Sequence, residues 1–276
     1  MPHSIKNLCA YVKNILKEWL CELFGYKKNF MSKNIAGFIL AAGLGTRLKP
    51  WTDHHPKALA VVNGKSLLQR NVEYLQKFGI TEVVVNVHHF AEQIIEAIAT
   101  NNGWGSHISI SDETDMVLET GGGLLKAKSL LEGHENFVLM NCDILTDLNL
   151  NLLINQHQQN QAIATLAVAN RETSRYLLFN QNHEMVGWKN IKTEEIKLPG
   201  KQKLGTAELT PMAFSGIHVL SKAIFDKINF TGKFGMIDLY LDLCAHNKII
   251  GYDHSSDLVL DVGKPEAVVR AEGLFK

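Results

Sequence analysis

The stretch LAAGLGTRLKP, residues 40–50, closes an apolar run that begins at Ile35 and is typical of a buried strand. Two closely spaced glycines let the backbone approach a ligand, and the amides of such a loop form a concave site for anions. Arg47 adds a fork of N–H donors suited to phosphate, and Lys57 supplies a second positive charge ten residues further on. The stretch therefore predicts a strand whose end and following loop hold a triphosphate.

Two other kinds of glycine loop do not fit this stretch. A dinucleotide fingerprint requires glycine at its sixth position, where Leu48 stands. A Walker loop ending in Gly64-Lys65-Ser66 requires its first glycine at position 59, where Leu59 stands. The phosphate site is therefore of another kind.

Beyond the glycine loop, short apolar runs alternate with helical patterns. Strands are predicted at residues 35–42, 83–87, 107–111, 137–140 and 163–169. Helices are predicted at residues 67–78, 91–100, 122–131 and 150–159. This alternation predicts an α/β fold, Rossmann-like, with a mixed, mainly parallel sheet flanked by helices. Ligands of such sheets bind beyond the carboxyl ends of the strands, near a switch in strand order.

The second half of the chain has a less regular pattern. A hairpin is predicted from strands at residues 176–180 and 185–188, and a polar stretch at residues 189–210 is expected to be a functional loop. A strand at 212–220, a helix at 237–246, a strand at 259–261 and a helix from Pro265 onward complete the prediction.

Residues 1–30 differ from the rest, with five lysines against two glutamates and apolar residues at helical spacing from Ile5 to Leu23. They predict an amphipathic helical extension, and residues 31–276 are expected to form the functional domain. Three interpretations of the extension remain open. It packs on the domain or on a partner chain, lies on a membrane surface, or precedes a functional start at Met31.

The composition excludes several classes of protein. The 276 residues carry 28 basic and 28 acidic side chains, so no broad basic surface for nucleic acid is expected. The four cysteines are far apart and favour neither structural zinc nor disulfides, which fits the cytoplasm. No apolar stretch is long enough for a transmembrane segment. An oligomer remains possible.

From the glycine loop onward, the sequence resembles a known family, the sugar-1-phosphate nucleotidyltransferases. Their signature, roughly L-A-A-G-x-G-T-R-L-x-P-x-T-x-x-x-P-K, is matched from Leu40 to Lys57, with Trp51-Thr52 in place. The resemblance implies the nucleotide-diphospho-sugar transferase fold. It also implies an enzyme that transfers a nucleoside monophosphate from an NTP to a sugar 1-phosphate, giving an NDP-sugar and pyrophosphate.

Further family motifs follow in the expected order, so the resemblance implies a set of site residues. For the nucleotide these are Leu40, Ala42, Gly43, Gly45, Thr46, Arg47, Lys57, Thr120, Gly121, Gly122 and Asn141. Asp143 and Asp261 are expected to hold Mg²⁺, which prefers one or two carboxylates with phosphate oxygens and water. Arg47, Lys57 and Asp143 are the expected catalytic residues, and Lys189, Ser215 and Gly216 are expected to contact the sugar phosphate. Alternatively, each aspartate caps the helix that follows it.

The substrates are predicted from the most similar subfamily. The Glu-Thr-Gly-Gly-Gly turn at residues 119–123 and the Asn141-Cys142-Asp143 element look most like N-acetylmuramate-1-phosphate uridylyltransferases of peptidoglycan recycling, which favours UTP. Mannose-1-phosphate guanylyltransferase is the alternative, and an inactive nucleotide-sugar-binding regulatory subunit is the alternative of another class. The chain departs from some relatives, because Leu177 replaces a sugar-contacting glycine after Tyr176.

Overall fold

The structure is a computed structural model that describes residues 34–200 and 209–276. The helix predicted within residues 1–30 lies outside the described residues. Residues from Asn34 onward form one compact unit. Within the described part of the chain, no helix has both the length and the apolar character needed to cross a bilayer.

The secondary structure alternates as the sequence predicts. The first half contains β1 (Ile35–Leu40), β2 (Val61–Val62), β3 (Lys65–Ser66), α1 (Leu67–Gln76), β4 (Glu82–Val87), α2 (Ala91–Thr100), β5 (His107–Asp112), α3 (Glu119–Lys126), α4 (Lys128–Leu131) and β6 (Asn136–Asn141). The second half contains β7 (Ile144–Thr146), α5 (Leu150–Asn160), β8 (Ala164–Ala169), β9 (Arg175–Phe179), β10 (Met185–Asn190), β11 (Glu195–Lys197), β12 (Thr210–Ser221), α6 (Met236–Leu243), β13 (Ile249–Asp253), β14 (Val259–Asp261) and α7 (Pro265–Leu274).

Ten of these strands form one mixed sheet. Its main path runs β11-β10-β9-β12-β6-β1-β4-β5, and β8 lies between β12 and β13. Strands β6, β1, β4 and β5 are parallel, whereas β12 is antiparallel to β6, β8 and β9. The chain first proceeds from β1 to β4 and β5 on one side, and then returns to place β6 on the other side of β1. The strand order therefore switches at β1, which is where ligands bind in such sheets.

Successive residues of β1 pack on opposite faces of the sheet. Phe38 joins a core cluster that includes residues of α3 and α6, whereas Ile39 joins a second cluster with residues of α1, α2 and α5. Because side chains alternate along a strand, a continuous run of apolar residues supplies both faces at once. The predicted α/β fold is confirmed, and helices cover both faces of the sheet.

The observed elements differ from the predicted ones in several places. The expected helix at 122–131 begins earlier and is divided at Ala127 into α3 and α4. Part of the polar stretch at 189–210 is a strand, because β11 pairs with β10. The strand β13 was not predicted, although it pairs in parallel with β8.

Candidate active site

The glycine loop leaves the carboxyl end of β1 beside β4 and β6. The amides of Ala41 and Ala42 donate to the Oδ1 atom of Asn86, at 2.6 Å and 3.2 Å. Gly45 adopts a φ of 63°, and a Cβ atom there would lie 2.9 Å from side-chain atoms of both Thr52 and Lys57. Glycine is therefore required at position 45 by its backbone conformation and by close packing.

Asn86 and Glu113 form a buried polar pair that the sequence analysis did not identify. The Nδ2 atom of Asn86 donates to the Oε1 atom of Glu113 at 2.7 Å, and both residues are almost fully buried. Burial raises the pKa of Glu113, while hydrogen bonds from Asn86 and the Leu118 backbone act in the opposite direction. Because Leu118 precedes α3, the pair joins the glycine loop to the start of that helix. The sequence signal for this pair was Asn86 itself, a polar residue within the apolar run of β4, since a buried polar group needs a hydrogen-bond partner.

Replacing Asn86 with alanine is expected to raise the KM for the nucleotide about tenfold and to lower the free energy of unfolding by about 1–3 kcal/mol. The change removes the acceptor for two loop amides and leaves the buried Glu113 carboxyl with the Leu118 backbone as its remaining donor. Initial rates at varied NTP concentration and urea unfolding measure the two effects.

A matched control is Thr165→Val, which breaks a hydrogen bond to the buried His157 near the amino end of β8. This variant is expected to lose stability without a change in KM. An equal rise in KM in both variants would show that Asn86 acts through general stability alone.

Arg47 lies in a short 3₁₀ turn, Thr46–Leu48, that is anchored by its last residue. Leu48 is buried in a third core cluster with Leu260 and Val262, which flank Asp261. The guanidinium of Arg47 lies 3.4 Å from the carboxylate of Asp261, and both side chains are about half exposed. A Cβ atom at Gly263 would lie 2.6 Å from Nη2 of Arg47, so glycine leaves the space that this pair occupies.

Lys57 begins a second 3₁₀ turn, Lys57–Leu59, and its ammonium group forms an ion pair with the carboxylate of Asp143. The two side chains are only 11% and 14% exposed, so this pair is far better shielded from water than the Arg47–Asp261 pair. Cys142, just before Asp143, is buried, and burial raises the pKa of its thiol to about 12. It is a packed residue and not a nucleophile.

The two aspartates meet because β14 pairs with β7. Asp261 lies opposite Ile144, which directly follows Asp143 in the chain, and the Val262 amide donates to the Asp143 carbonyl at 2.8 Å. The backbones of these two residues, which are far apart in sequence, therefore meet beyond the carboxyl end of β6. The alternative that each aspartate caps the next helix is wrong, because Asn149 and Lys264 occupy those cap positions.

The carboxylate oxygens of Asp143 and Asp261 suit a hard divalent cation. Asp143 and Asp261 supply two carboxylates from backbone segments that pair with each other, and carboxylate oxygens with phosphate oxygens and water are the ligands Mg²⁺ prefers. Across residues 34–200 and 209–276, no group of three or more His, Cys, Asp or Glu side chains could hold a metal by itself. The two aspartates therefore fit an ion whose other ligands come from a phosphate substrate.

The glycine turn predicted to meet the nucleotide base forms the first turn of α3. The amides of Gly121 and Gly122 donate to the Phe234 carbonyl, and Thr120 accepts from the Met236 amide. A Cβ atom at Gly121 would lie 2.4 Å from the Phe234 ring. The structure thus explains this glycine by close packing, and the contact of residues 120–122 with a nucleotide stays a prediction.

The strand β12 forms the wall of the site opposite the glycine loop. Gly216 has a φ of 74°, and a Cβ atom there would lie 2.7 Å from Nδ2 of Asn141, so these two residues are close neighbours. Ser215 is buried, and its hydroxyl forms a 2.7 Å hydrogen bond with Nε2 of His254. Lys189 lies further away, in a groove on β9 and β10 that also includes Tyr176. The roles of Lys189, Ser215 and Gly216 toward a sugar phosphate stay predictions.

The comparison with known families now identifies the chain. Residues 36–271 match the family described as nucleotidyl transferase, a range that contains every site residue named above. Since the match spans most of its length, the chain belongs to the nucleotidyl transferase family. Together with its relatives, this makes it a sugar-1-phosphate nucleotidyltransferase, which is an enzyme.

Curated relatives align over most of the chain. The N-acetylmuramate alpha-1-phosphate uridylyltransferase of Caulobacter vibrioides is 30% identical over 238 residues, covering 85% of this chain and 94% of the relative. The protein of the same name from Neisseria meningitidis serogroup B is also 30% identical, covering 86% and 96%. The mannose-1-phosphate guanyltransferase of Yarrowia lipolytica is 26% identical, covering 87% of this chain and 63% of that protein.

Solved structures confirm the fold. The structure of HddC from Yersinia pseudotuberculosis in complex with GMP-PN has a TM-score of 0.69 at 22% identity, and covers 88% of this chain and 100% of that one. The inositol-1-phosphate CTP transferase of T. maritima has a TM-score of 0.68 at 16% identity, and covers 88% and 97%. The nucleotide-diphospho-sugar transferase fold predicted from the sequence is therefore confirmed.

Proposed function

We propose that this enzyme transfers uridylate from UTP to N-acetylmuramate 1-phosphate, giving the UDP-sugar and pyrophosphate. The observation that carries the proposal is the alignment with two N-acetylmuramate uridylyltransferases over at least 94% of their length and 85% of this chain. The mannose-1-phosphate guanyltransferase aligns over only 63% of its own length, which makes it the second candidate. The proposed reaction belongs to peptidoglycan recycling and, because it consumes UTP, we assign it to the cytoplasm.

The nucleotide is proposed to bind at the carboxyl end of β1. Its triphosphate lies along the loop from Leu40 to Thr46, where nothing lies within 4 Å of a Cβ atom placed at Gly43, which leaves space for phosphate oxygens. The guanidinium of Arg47 binds the β- and γ-phosphates, which leave as pyrophosphate. The ammonium group of Lys57 binds the α-phosphate. In this arrangement phosphate oxygens replace the carboxylates with which both cations now pair.

Asp143 and Asp261 are the residues proposed to hold Mg²⁺. When bound, the ion supplies positive charge that offsets repulsion between phosphate oxygens. This assignment is supported by the backbone pairing that brings the two residues together and by the chemistry of carboxylates as hard oxygen donors.

The chemical step is an in-line attack by an oxygen of the sugar 1-phosphate on the α-phosphorus. A new P–O bond forms as the bond to the β-phosphate oxygen breaks, and pyrophosphate leaves with the bonding electron pair. A phosphate monoester has its second pKa near 6, so the nucleophile is largely dianionic at neutral pH and needs no general base. The enzyme contributes orientation and positive charge, supplied by its loop amides, Lys57 and Arg47.

A matrix of UTP, GTP, CTP, ATP and dTTP against sugar 1-phosphates tests the proposal, with pyrophosphate release as the readout. The highest kcat/KM is expected for UTP with N-acetylmuramate 1-phosphate in the presence of Mg²⁺. A preference for GTP with mannose 1-phosphate would replace the proposed substrates and leave the mechanism unchanged. Absence of pyrophosphate release with every pair would support the regulatory-subunit alternative.

A further inference from the structure

Arg171 lies at the same edge of the sheet as the reacting groups, two residues beyond the carboxyl end of β8. Its Nη2 atom donates to the carbonyl of Phe214 at 2.9 Å, on the strand β12 that forms the acceptor side of the site. Phe214 is two residues from Gly216, the neighbour of Asn141, which places the guanidinium roughly 7 Å along the strand from the β6 end of the site.

Hydrogen bonds hold both the backbone and the guanidinium of Arg171 in place. Its own amide bonds to the Ala169 carbonyl at 3.0 Å, and the amide of the preceding residue, Asn170, donates to the Ser255 hydroxyl at 2.7 Å. The guanidinium is fixed at Phe214, as described above. A side chain held at its base and at its tip loses little further freedom when a ligand binds.

The remaining donors of Arg171 point to a negatively charged ligand. An arginine has five N–H donors, and the contact with Phe214 uses Nη2 alone, while the residue remains exposed. Within residues 34–200 and 209–276, Arg171 forms no ion pair, whereas Arg47 and Lys57 are both paired with aspartates. Nearby, burial lowers the pKa of His254, and the charge of Arg171 acts in the same direction, whereas Asp257 and Asp253 act against it.

The position of Arg171 separates it from the reacting phosphate. The 1-phosphate must approach the α-phosphate near Asp143, at the part of β12 where Gly216 lies beside Asn141. Arg171 is anchored further along β12, where it would meet a different part of the sugar. A guanidinium with free parallel donors binds a carboxylate in a bidentate manner.

We propose that Arg171 binds a carboxylate of the acceptor sugar, a second anionic group remote from the 1-phosphate. The inference rests on the proposed function, since N-acetylmuramate carries such a carboxylate on its lactyl ether, while N-acetylglucosamine and mannose do not. Arg171 thereby selects the muramyl acceptor over neutral hexose 1-phosphates.

The test compares two acceptors that differ only in the lactyl group. Calorimetry with the full chain and a non-hydrolysable UTP analogue measures the dissociation constants of N-acetylmuramate 1-phosphate and N-acetylglucosamine 1-phosphate. Arg171→Gln is expected to weaken binding of the muramyl compound about 10- to 100-fold and that of the glucosamine compound less than about threefold. Arg171→Lys is expected to be intermediate, because lysine keeps the charge without the fork. The matched control Arg175→Gln removes another exposed arginine four residues away and is expected to change neither constant.

Each other outcome overturns the inference. Equal weakening for both acceptors would assign Arg171 to the 1-phosphate or to general structure, and no weakening would remove it from the site. Pyrophosphate release from UTP and N-acetylmuramate 1-phosphate is measured on the unchanged chain, and its absence contradicts the proposed function. The ratio of dissociation constants reports on Arg171 separately, so the two proposals fail in distinguishable ways.

Discussion

Replacing Asp143 with asparagine is expected to lower kcat by about 10²–10³-fold at saturating substrates and Mg²⁺. Asparagine keeps the size of the side chain but removes the negative charge that is proposed to bind the ion and that pairs with Lys57. Stability is also expected to fall, because Lys57 is left as a charge that is only 11% exposed and has lost its partner. The chain should nevertheless stay folded, because the β7–β14 pairing near residue 143 is made by the backbone. Pyrophosphate release and urea unfolding, measured on the same preparation, separate the two effects.

The control for Asp143 is Asp53→Asn, on a third 3₁₀ turn at Trp51–Asp53. Asp53 pairs with Lys49 at 2.8 Å, but both side chains are largely exposed, and such pairs contribute little. Its removal is expected to leave kcat within about twofold of the unchanged enzyme. A folded Asp143→Asn enzyme with near-native turnover would show that this carboxylate has no part in the reaction.

Lys57→Met is expected to lower kcat by a similar factor, about 10²–10³-fold, and also to lower the free energy of unfolding by about 3 kcal/mol. Methionine keeps the apolar stem but removes the ammonium group, so Asp143 remains as a charge that is only 14% exposed and has lost its partner. Combining Lys57→Met with Asp143→Asn should cost less stability than the two single changes added together, since neither charge is then left alone.

Lys65→Met is the matched control for Lys57, because Lys65 also forms a short ion pair, at 2.6 Å to Glu73, but on an exposed surface. It is expected to retain full activity and nearly full stability. If Lys57→Met stayed folded and kept kcat within about fivefold, the lysine would be a structural partner of Asp143 and not a phosphate ligand.

The sequence predicted the sheet well because its strands are buried on both faces. Runs such as residues 137–140 are continuously apolar, and amphipathic helices separate such runs. Strands and helices can therefore be told apart from the local pattern alone. The strand at 259–261 was also predicted, but its partner β7 was not. A strand of three residues has no measurable period, and these two pair across more than a hundred residues. The family resemblance, not the local pattern, indicated that Asp143 and Asp261 belong to one site.

The parts of the site that the sequence left unidentified depend on tertiary contacts. Asn86 and Glu113 become partners only when β4 and β5 lie side by side, and nothing in either local pattern encodes their hydrogen bond. The amides of Gly121 and Gly122, whose contact with the nucleotide stays a prediction, bond to the carbonyl of Phe234, far along the chain, and no local pattern indicates that contact. Arg171 was missed because an arginine in a loop is usually a solvated surface residue.

The pairing of β14 with β7 has a consequence for how the enzyme is made. During synthesis the ribosome produces the N-terminal part first, so Arg47, Lys57 and Asp143 are present long before Asp261 emerges. A nascent chain that has not yet reached β14 has the glycine loop but lacks the second carboxylate and the strand that anchors it. With the role proposed for Asp261, transferase activity is expected only once β14 has been synthesised, and products terminated before Asp261 are expected to lack it.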